Sequence, residues 1–89
     1  MQGEQTNDAA TALQAIGWTL GDDSRAARFL ALTGLTPETL RQGLGDAALL
    51  AAALRFLEAH EPDLVACAEA LGTRPLQLVE TRRRLESGA

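Results

Sequence analysis

The sequence predicts an all-α fold, a compact single-domain orthogonal bundle of five or six short helices. Residues 31–38 and 70–76 each run from an apolar helical stretch through Gly to Pro and into another helical stretch. Gly accepts the left-handed conformation that closes a helix, and Pro is favoured in the first turn of the next helix. No segment alternates apolar and polar residues over the length of a strand, and Val and Ile are scarce, so a sheet is not expected. Short helices joined by short turns pack at steep angles, which predicts an orthogonal arrangement.

The 89 residues are enough for one domain with a modest hydrophobic core. Because 46% of the residues are hydrophobic but only 3% are aromatic, that core must consist mainly of Leu and Ala. The helical domain is expected over residues 8–86, between a flexible N-terminal segment (1–7) and a frayed C-terminus (87–89).

The first helix is expected to begin at Asn7 or Asp8, both good N-caps, and to end at about Leu20, before Gly21. At about 100° per residue, Trp18 projects roughly 160° away from Leu20 and lies outside the predicted core face. That face comprises Leu13, Ile16 and Leu20, extended by Ala9 and Ala12.

The second helix takes its N-cap from residues 22–24 and ends at Thr33. Its predicted core face comprises Ala26, Phe29, Leu30 and Thr33. The third helix is short, with Thr36 as N-cap and Pro37 in the first position, and it ends before Gly45. Leu40 and Leu44 are expected to face the core.

The fourth helix opens at Asp46 and is expected to be the most buried, because residues 47–54 contain no polar side chain. A helix that is apolar all round belongs in the middle of a bundle. It ends near His60, since Pro62 disfavours helix in the preceding residue. The fifth helix, over about 62–71, is expected to bury Leu64, Val65, Cys67, Ala68 and Leu71. The sixth begins near Arg74 and presents Leu76, Leu78, Val79 and Leu85.

The two Gly–Pro turns leave two interpretations open, an internal duplication of a helical pair or caps that short helices commonly share. Aligning the turns pairs Gly34 with Gly72, Pro37 with Pro75, Leu40 with Leu78 and Phe29 with Cys67.

Charge is unevenly distributed along the chain, whose net charge is −4. Residues 1–69 carry ten acidic and four basic side chains, whereas residues 70–89 carry four Arg and two Glu. A net acidic chain is repelled by phosphate backbones, which disfavours nucleic acid as a partner. Any nucleic-acid contact would therefore depend on Arg74, Arg82, Arg83 and Arg84.

Groups that carry catalysis or bind metal are scarce, with one His, one Cys and neither Tyr nor Lys. Pro62 separates His60 from Cys67, so a thiol–imidazole pair is disfavoured and Cys67 is expected to be core packing. A structural zinc site needs four Cys or His ligands, and residues 43–45 lack the Lys of a phosphate-binding loop. We therefore expect no enzyme activity, no cofactor and no metal.

The sequence also favours a cytoplasmic location without membrane contact. No apolar run reaches the roughly 18 residues that a spanning helix needs. The N-terminal residues lack the basic start and apolar core of a signal peptide. The single cysteine, Cys67, cannot form an internal disulfide.

Three stretches carry a resemblance to a known family: LQAIGWTLGDDSRAARFLALTGLTPETLR, the leucine-rich AALLAAALRFL, and LVACAEALG with the single cysteine. Together they resemble a family of short proteins of unknown function found chiefly in alphaproteobacteria. The resemblance covers about residues 8–85, and its most specific pieces are Gly17-Trp18, Arg28-Phe29-Leu30 and Thr33-Gly34-Leu35 with Pro37. It implies a compact helical domain in a bacterial cytoplasm and no known activity, ligand or catalytic residue.

Residues 63–85 fit the spacing of a helix-turn-helix, with Ala68 at a close helix contact, Gly72 in the turn and Leu78 in the second helix. Pro75 and Leu76 oppose this interpretation, because they occupy the start of the second helix, where polar side chains normally reach base edges. The arginines at the far end are equally explained as partners of the helix dipole.

Trp18 is the candidate partner-binding residue, because exposed Trp is enriched at binding hot spots; the alternative is that it lies in the core. The leading hypothesis is a non-catalytic cytoplasmic interaction or adaptor domain that binds an unidentified protein partner or a second copy of itself. The competing hypothesis is a small helix-turn-helix DNA-binding regulator that uses residues 63–85.

Overall fold

The computed structural model describes residues 2–87 of the chain, with side chains from residue 7 onward. Over this range the chain forms six helices and no strand, which confirms the all-α single-domain prediction. None of these helices is both long enough and apolar enough to cross a membrane. The helices are α1 (Gln2–Leu20), α2 (Asp23–Thr33), α3 (Pro37–Gln42), α4 (Ala47–Glu58), α5 (Glu61–Ala70) and α6 (Pro75–Glu86).

Side-chain caps begin three of the helices where the sequence predicts them. The Asp22 carboxylate accepts a hydrogen bond from the Arg25 backbone amide at 2.9 Å, and Asp46 caps α4 in the same way. Thr36 and Thr39 form a capping box, in which each hydroxyl accepts a hydrogen bond from the backbone amide of the other residue. These bonds satisfy amides that have no partner within the helix.

The two predicted Gly–Pro turns are both present. Gly34 and Gly72 have positive φ angles of 75° and 71°, the left-handed conformation that a residue with a Cβ rarely adopts. At Gly72 the next backbone amide donates to the Ala68 carbonyl at 2.9 Å, the long bond of a Schellman motif. Pro37 and Pro75 then stand in the first turns of α3 and α6.

The predicted duplication stays a hypothesis. Two of the four aligned pairs are buried in both halves, Phe29 with Cys67 and Leu40 with Leu78. The second helices of the two pairs differ in length, however, since α3 has 6 residues and α6 has 12.

The predicted start of α1 is wrong, because the helix already begins at Gln2. Asp8 does not act as a cap, since its carboxylate accepts hydrogen bonds from the Arg84 guanidinium on α6. The predicted flexibility of residues 1–7 stays a prediction, and Met1 lies outside the described residues. The sequence predicts fraying at residues 87–89. Ser87 is the C-cap of α6, whereas Gly88 and Ala89 lie outside the described residues.

Helix α4 lies at the centre of the bundle, as its apolar sequence predicts. It contacts α1, α2, α5 and α6. Complete burial of a leucine stabilises the fold by about 1.5–3 kcal/mol relative to an exposed one. The buried residues of α4 are Leu50, Ala51, Ala53, Leu54, Phe56 and Leu57.

The predicted core face of α1 is partly wrong. Leu13 and Leu20 are 40% and 39% exposed. The helix instead turns a face of small residues inward, and alanine side chains let its backbone approach α4 and α6 closely. Thr19 is tolerated on this face because its hydroxyl donates to the Ala15 carbonyl at 2.8 Å. The buried hydrophobic residues of α1 are Ala12, Ala15 and Ile16.

Two further residues assigned to the core are exposed, Val65 at 43% and Leu76 at 58%. Cys67 and Ala68 are buried on the inner face of α5. Leu78 and Thr81 are buried on the inner face of α6. The Thr81 hydroxyl donates to a carbonyl one turn earlier at 2.8 Å, which allows a polar residue to occupy a core position.

The two phenylalanines join α2 to α4. Phe29 and Phe56 are both buried, and their ring centroids lie 5.2 Å apart with an interplanar angle of 74°. This edge-to-face arrangement suits the charge distribution of aromatic rings.

Replacing Gly72 by Ala is expected to lower the free energy of unfolding by about 1–2 kcal/mol, because a Cβ disfavours the left-handed backbone. Gly45→Ala is the matched control. An added Cβ meets nothing within 4 Å at either glycine, and of the two only Gly72 has a positive φ. Urea denaturation followed by circular dichroism measures both variants. Equal stability of the two would show that the turn does not require the left-handed conformation.

Candidate functional site

The α5–turn–α6 segment has the local shape of a helix-turn-helix. Ala68 and Leu78 are buried, and Gly72 adopts the left-handed conformation between the two helices. The first turn of α6 nevertheless exposes Leu76 where a DNA-reading helix usually presents polar side chains. The framework of the motif is thus present without polar groups at the start of its second helix.

Arg82, one of the four predicted nucleic-acid contacts, is engaged within the protein. Its guanidinium donates to both Glu58 carboxylate oxygens, at 2.8 and 2.9 Å, and to Glu86 at 2.9 Å. These hydrogen bonds, first to Glu58 and then to Glu86, raise the pKa of Arg82. Glu86 also accepts hydrogen bonds from Arg55, and the bonds from Arg55 and Arg82 lower its pKa. This four-residue cluster connects α4 to α6.

Arg84 is engaged as well, with the carboxylate of the buried Asp8. Its Nε lies 3.0 Å from one Asp8 oxygen and its Nη2 lies 3.0 Å from the other. This ion pair joins α1 to α6 across 76 residues of sequence. Arg74 and Arg83 are exposed, whereas the other two of the four predicted contacts are engaged in ion pairs with this protein's own carboxylates.

Trp18 is half-buried, so it is neither fully exposed nor fully in the core, the two alternatives that the sequence left open. It packs against the hydrophobic core, and the Arg25 guanidinium carbon lies 3.5 Å from the centre of its ring. Arg25 also donates a hydrogen bond to the Trp18 backbone carbonyl. One face of the indole is therefore already occupied by a cation, an arrangement that stabilises the pair.

A solvent-facing apolar stripe on α1 was not predicted. It comprises Ala10, Leu13, Gly17 and Leu20, and we call it the α1 outer face. All four residues are exposed, and a Cβ added at Gly17 would meet nothing within 4 Å. Ala12, Ala15 and Thr19 recur at helical spacing just as the leucines do, so spacing alone did not distinguish the inward face of α1 from its outward face.

A polar groove, also not predicted, lies between α1, the α5–α6 turn and α6. It encloses about 240 Å³. Three of its residues, Asn7, Thr11 and Gln14, recur along one face of α1 at the i, i+4, i+7 spacing. The remaining lining residues are Asp8, Leu71, Thr73, Gln77, Thr81 and Arg84.

Cys67 occupies a core position, as the sequence predicts for a packing cysteine. It is completely buried, and burial raises the pKa of its thiol to about 11. His60 is exposed and makes no side-chain cap to α5. In the part of the chain that the structure describes, no three His, Cys, Asp or Glu side chains are grouped so that they could hold a metal ion.

The chain belongs to a family described as "Protein of unknown function (DUF3572)", whose model matches residues 5–88. Comparison with curated proteins found no match. Comparison with solved structures also found none. The resemblance noted from the sequence is thus confirmed at the level of an uncharacterised family.

The stabilising effect of Glu86 is expected to depend on pH. Hydrogen bonds hold its folded-state pKa below the ordinary value of 4.5, so its contribution is fully present above that pH. As the pH falls through this range the unfolded chain takes up a proton first, and stability decreases. The stability difference between the wild type and Glu86→Gln should therefore shrink from neutral pH to about pH 3.

Urea denaturation at a series of pH values measures this difference. Glu69→Gln is the control, because Glu69 is exposed on α5 and forms no ion pair among the described side chains. A Glu86→Gln difference that stays constant with pH would contradict the expected role of the carboxylate.

Proposed function

We propose that this domain is a non-catalytic adaptor that binds another protein through the α1 outer face. This proposal is based on the exposure of Leu13 and Leu20 on either side of Gly17. Single exposed leucines are common on protein surfaces, whereas apolar residues aligned on one helix face form a patch that a partner can cover. The occupant we propose is an apolar helix of the partner.

The shape of the α1 outer face supports a helix as the occupant. Gly17 leaves open space between the two leucines, so the backbone of a partner helix can approach closely there. A partner residue placed over Gly17 would then contact Leu13 on one side and Leu20 on the other, in the way that ridges fit grooves between packed helices.

Charge favours a different protein over a second copy of this chain. The net charge is −4, which makes two copies repel each other. Asp22 and Asp23, both exposed, lie just beyond the end of α1, separated from Leu20 by Gly21. A partner with basic residues beside its apolar helix would complement them.

Trp18 has a supporting part in this proposal. Its ring packs against the core on the flank of α1 and is covered by Arg25, so it holds the helix in place beside the α1 outer face. Trp18→Ala would remove both contacts, and the α1 outer face is therefore better tested through its leucines.

The buried, high-pKa thiol of Cys67 supports a non-catalytic role, because the thiolate is the nucleophilic form. We place the interaction in the bacterial cytoplasm, in line with the resemblance to proteins found chiefly in alphaproteobacteria. A lone, reduced cysteine fits a reducing compartment.

DNA binding is the competing function, and the helix-turn-helix shape of α5 and α6 favours it. The ion pairs of Arg82 and Arg84 weigh against it, because phosphate would have to displace Glu58, Glu86 or Asp8. Arg74 and Arg83 alone leave little positive charge to offset the acidic chain.

The experiment is affinity capture of the tagged protein from its native cells, with and without nuclease, followed by mass spectrometry. The test variant, Leu13→Gln with Leu20→Gln, makes the α1 outer face polar while keeping good helix formers. Leu32→Gln is the matched control, because Leu32 is 72% exposed on α2.

We expect the wild type and the control to recover the same protein regardless of nuclease, and the double variant to lose about nine-tenths of it, a tenfold weakening. Equal recovery by the double variant would contradict the proposal. If the wild type recovers nucleic acid and the variant Arg74→Ala with Arg83→Ala does not, the result would favour the DNA-binding function. Light scattering tests self-association. If the wild type is a dimer and the double variant is a monomer, the α1 outer face binds a second copy of this chain, and the proposal of a different protein as the occupant is overturned.

A further inference from the structure

The polar groove between α1 and α6 is a second feature of the molecule, on a different side of α1 from the proposed partner surface. At about 100° per residue, the groove residue Thr11 lies roughly 160° around the helix from Leu13. Three parts of the chain supply the lining: one face of α1, the α5–α6 turn and one face of α6. Its volume of about 240 Å³ is that of roughly eight water molecules in the liquid.

The threonine hydroxyls distinguish the groove from the rest of the structure. Most described threonines hydrogen-bond to backbone or to each other through their hydroxyls, namely Thr19, Thr33, Thr36, Thr39 and Thr81. Among the side chains that the structure describes, Thr11 and Thr73 are the two threonines whose hydroxyls bond to no protein group, and both line the groove. Their hydrogen-bonding capacity is therefore available to a ligand.

Three amide side chains add to this capacity. Asn7 and Gln14 lie on α1, and Gln77 lies opposite them on α6. None of the three bonds to another protein group within the described part of the chain. Each amide offers two donor hydrogens and one acceptor oxygen. Groups that both donate and accept thus converge on the groove from two helices and a turn.

The electrostatics of the groove favour an uncharged ligand. The two charged residues among its described lining, Asp8 and Arg84, are already joined to each other by three hydrogen bonds. The charges of Asp8 and Arg84 compensate each other, so an anionic or cationic ligand gains little electrostatic attraction from binding in the groove. Among the described residues that line the groove, Leu71 is the apolar one, and none has an aromatic ring on which a nucleobase could stack.

We propose that the groove formed by Asn7, Thr11, Gln14, Thr73 and Gln77 is a binding site for a small uncharged polyol of about the size of a five- or six-carbon sugar. Hydroxyl groups donate and accept in the same way as the threonines and amides that face them. This site is independent of the proposed adaptor function.

The test uses the full-length, isotope-labelled protein and two-dimensional amide NMR, with D-ribose and D-glucose as probes. At least one of the two sugars is expected to shift the amide signals of residues around the groove, including 11, 14, 73 and 77, and to leave those of α3 unchanged. D-ribose 5-phosphate should bind no more tightly than D-ribose, because the groove carries no uncompensated positive charge.

Two variant sets identify the site. Thr11→Val with Thr73→Val, and separately Gln14→Ala with Gln77→Ala, should each raise the Kd about tenfold, from the loss of two hydrogen bonds. Gln42→Ala, at an exposed amide on α3, is the matched control and should bind as the wild type does. Circular dichroism confirms that each variant is folded, and Leu13→Gln with Leu20→Gln should retain sugar binding.

The proposal is overturned if neither sugar shifts any amide up to its solubility limit, or if the shifts lie outside the groove. Unchanged Kd values in folded threonine and glutamine variants would also overturn it. Tighter binding of the phosphate ester would overturn the uncharged assignment and indicate an anion site at Arg84.

Discussion

The structure depends on the burial of one apolar helix. Residues 47–54 carry no polar side chain, so α4 is stable only where other helices cover most of its surface. Helices α1 and α6 provide most of that cover, α1 with alanines and α6 with Leu78. Ion pairs then fix α6 from both sides, through Arg82 to Glu58 on α4 and through Arg84 to Asp8 on α1.

The two candidate surfaces follow from this packing. Because α1 turns its alanines toward α4 and α6, Leu13 and Leu20 remain outside and form an apolar stripe around Gly17. The flank of the same helix faces α6 across a gap, and the neutral polar side chains on that flank line the groove. A single orientation of α1 therefore produces both the proposed protein contact and the proposed sugar site, and Trp18 with Arg25 helps to fix that orientation.

Local sequence signals predicted the helices well. Asp22, Thr36 and Asp46 begin helices through hydrogen bonds within a few residues, and Gly34 and Gly72 end them through backbone geometry, so neighbouring residues contain the necessary information. The inward face of α1 was not predictable in this way, because leucines and alanines both recur at helical spacing. The Asp8–Arg84 pair joins residues 76 positions apart, and the groove likewise combines residues from both ends of the chain, which no local pattern reveals.

The inward orientation of α1 is tested by comparing the free energy of unfolding of Ala15→Leu with that of Ala10→Leu. Ala15 is completely buried on the inner face of α1, and Ala10 is exposed on the outer face of the same helix. We expect Leu at position 15 to force α1 away from its neighbours and to cost about 1–3 kcal/mol, whereas Leu at position 10 should change stability by at most about 0.5 kcal/mol. Equal effects at the two positions, or a larger loss at position 10, would contradict the packing of α1 on which both proposed surfaces rest.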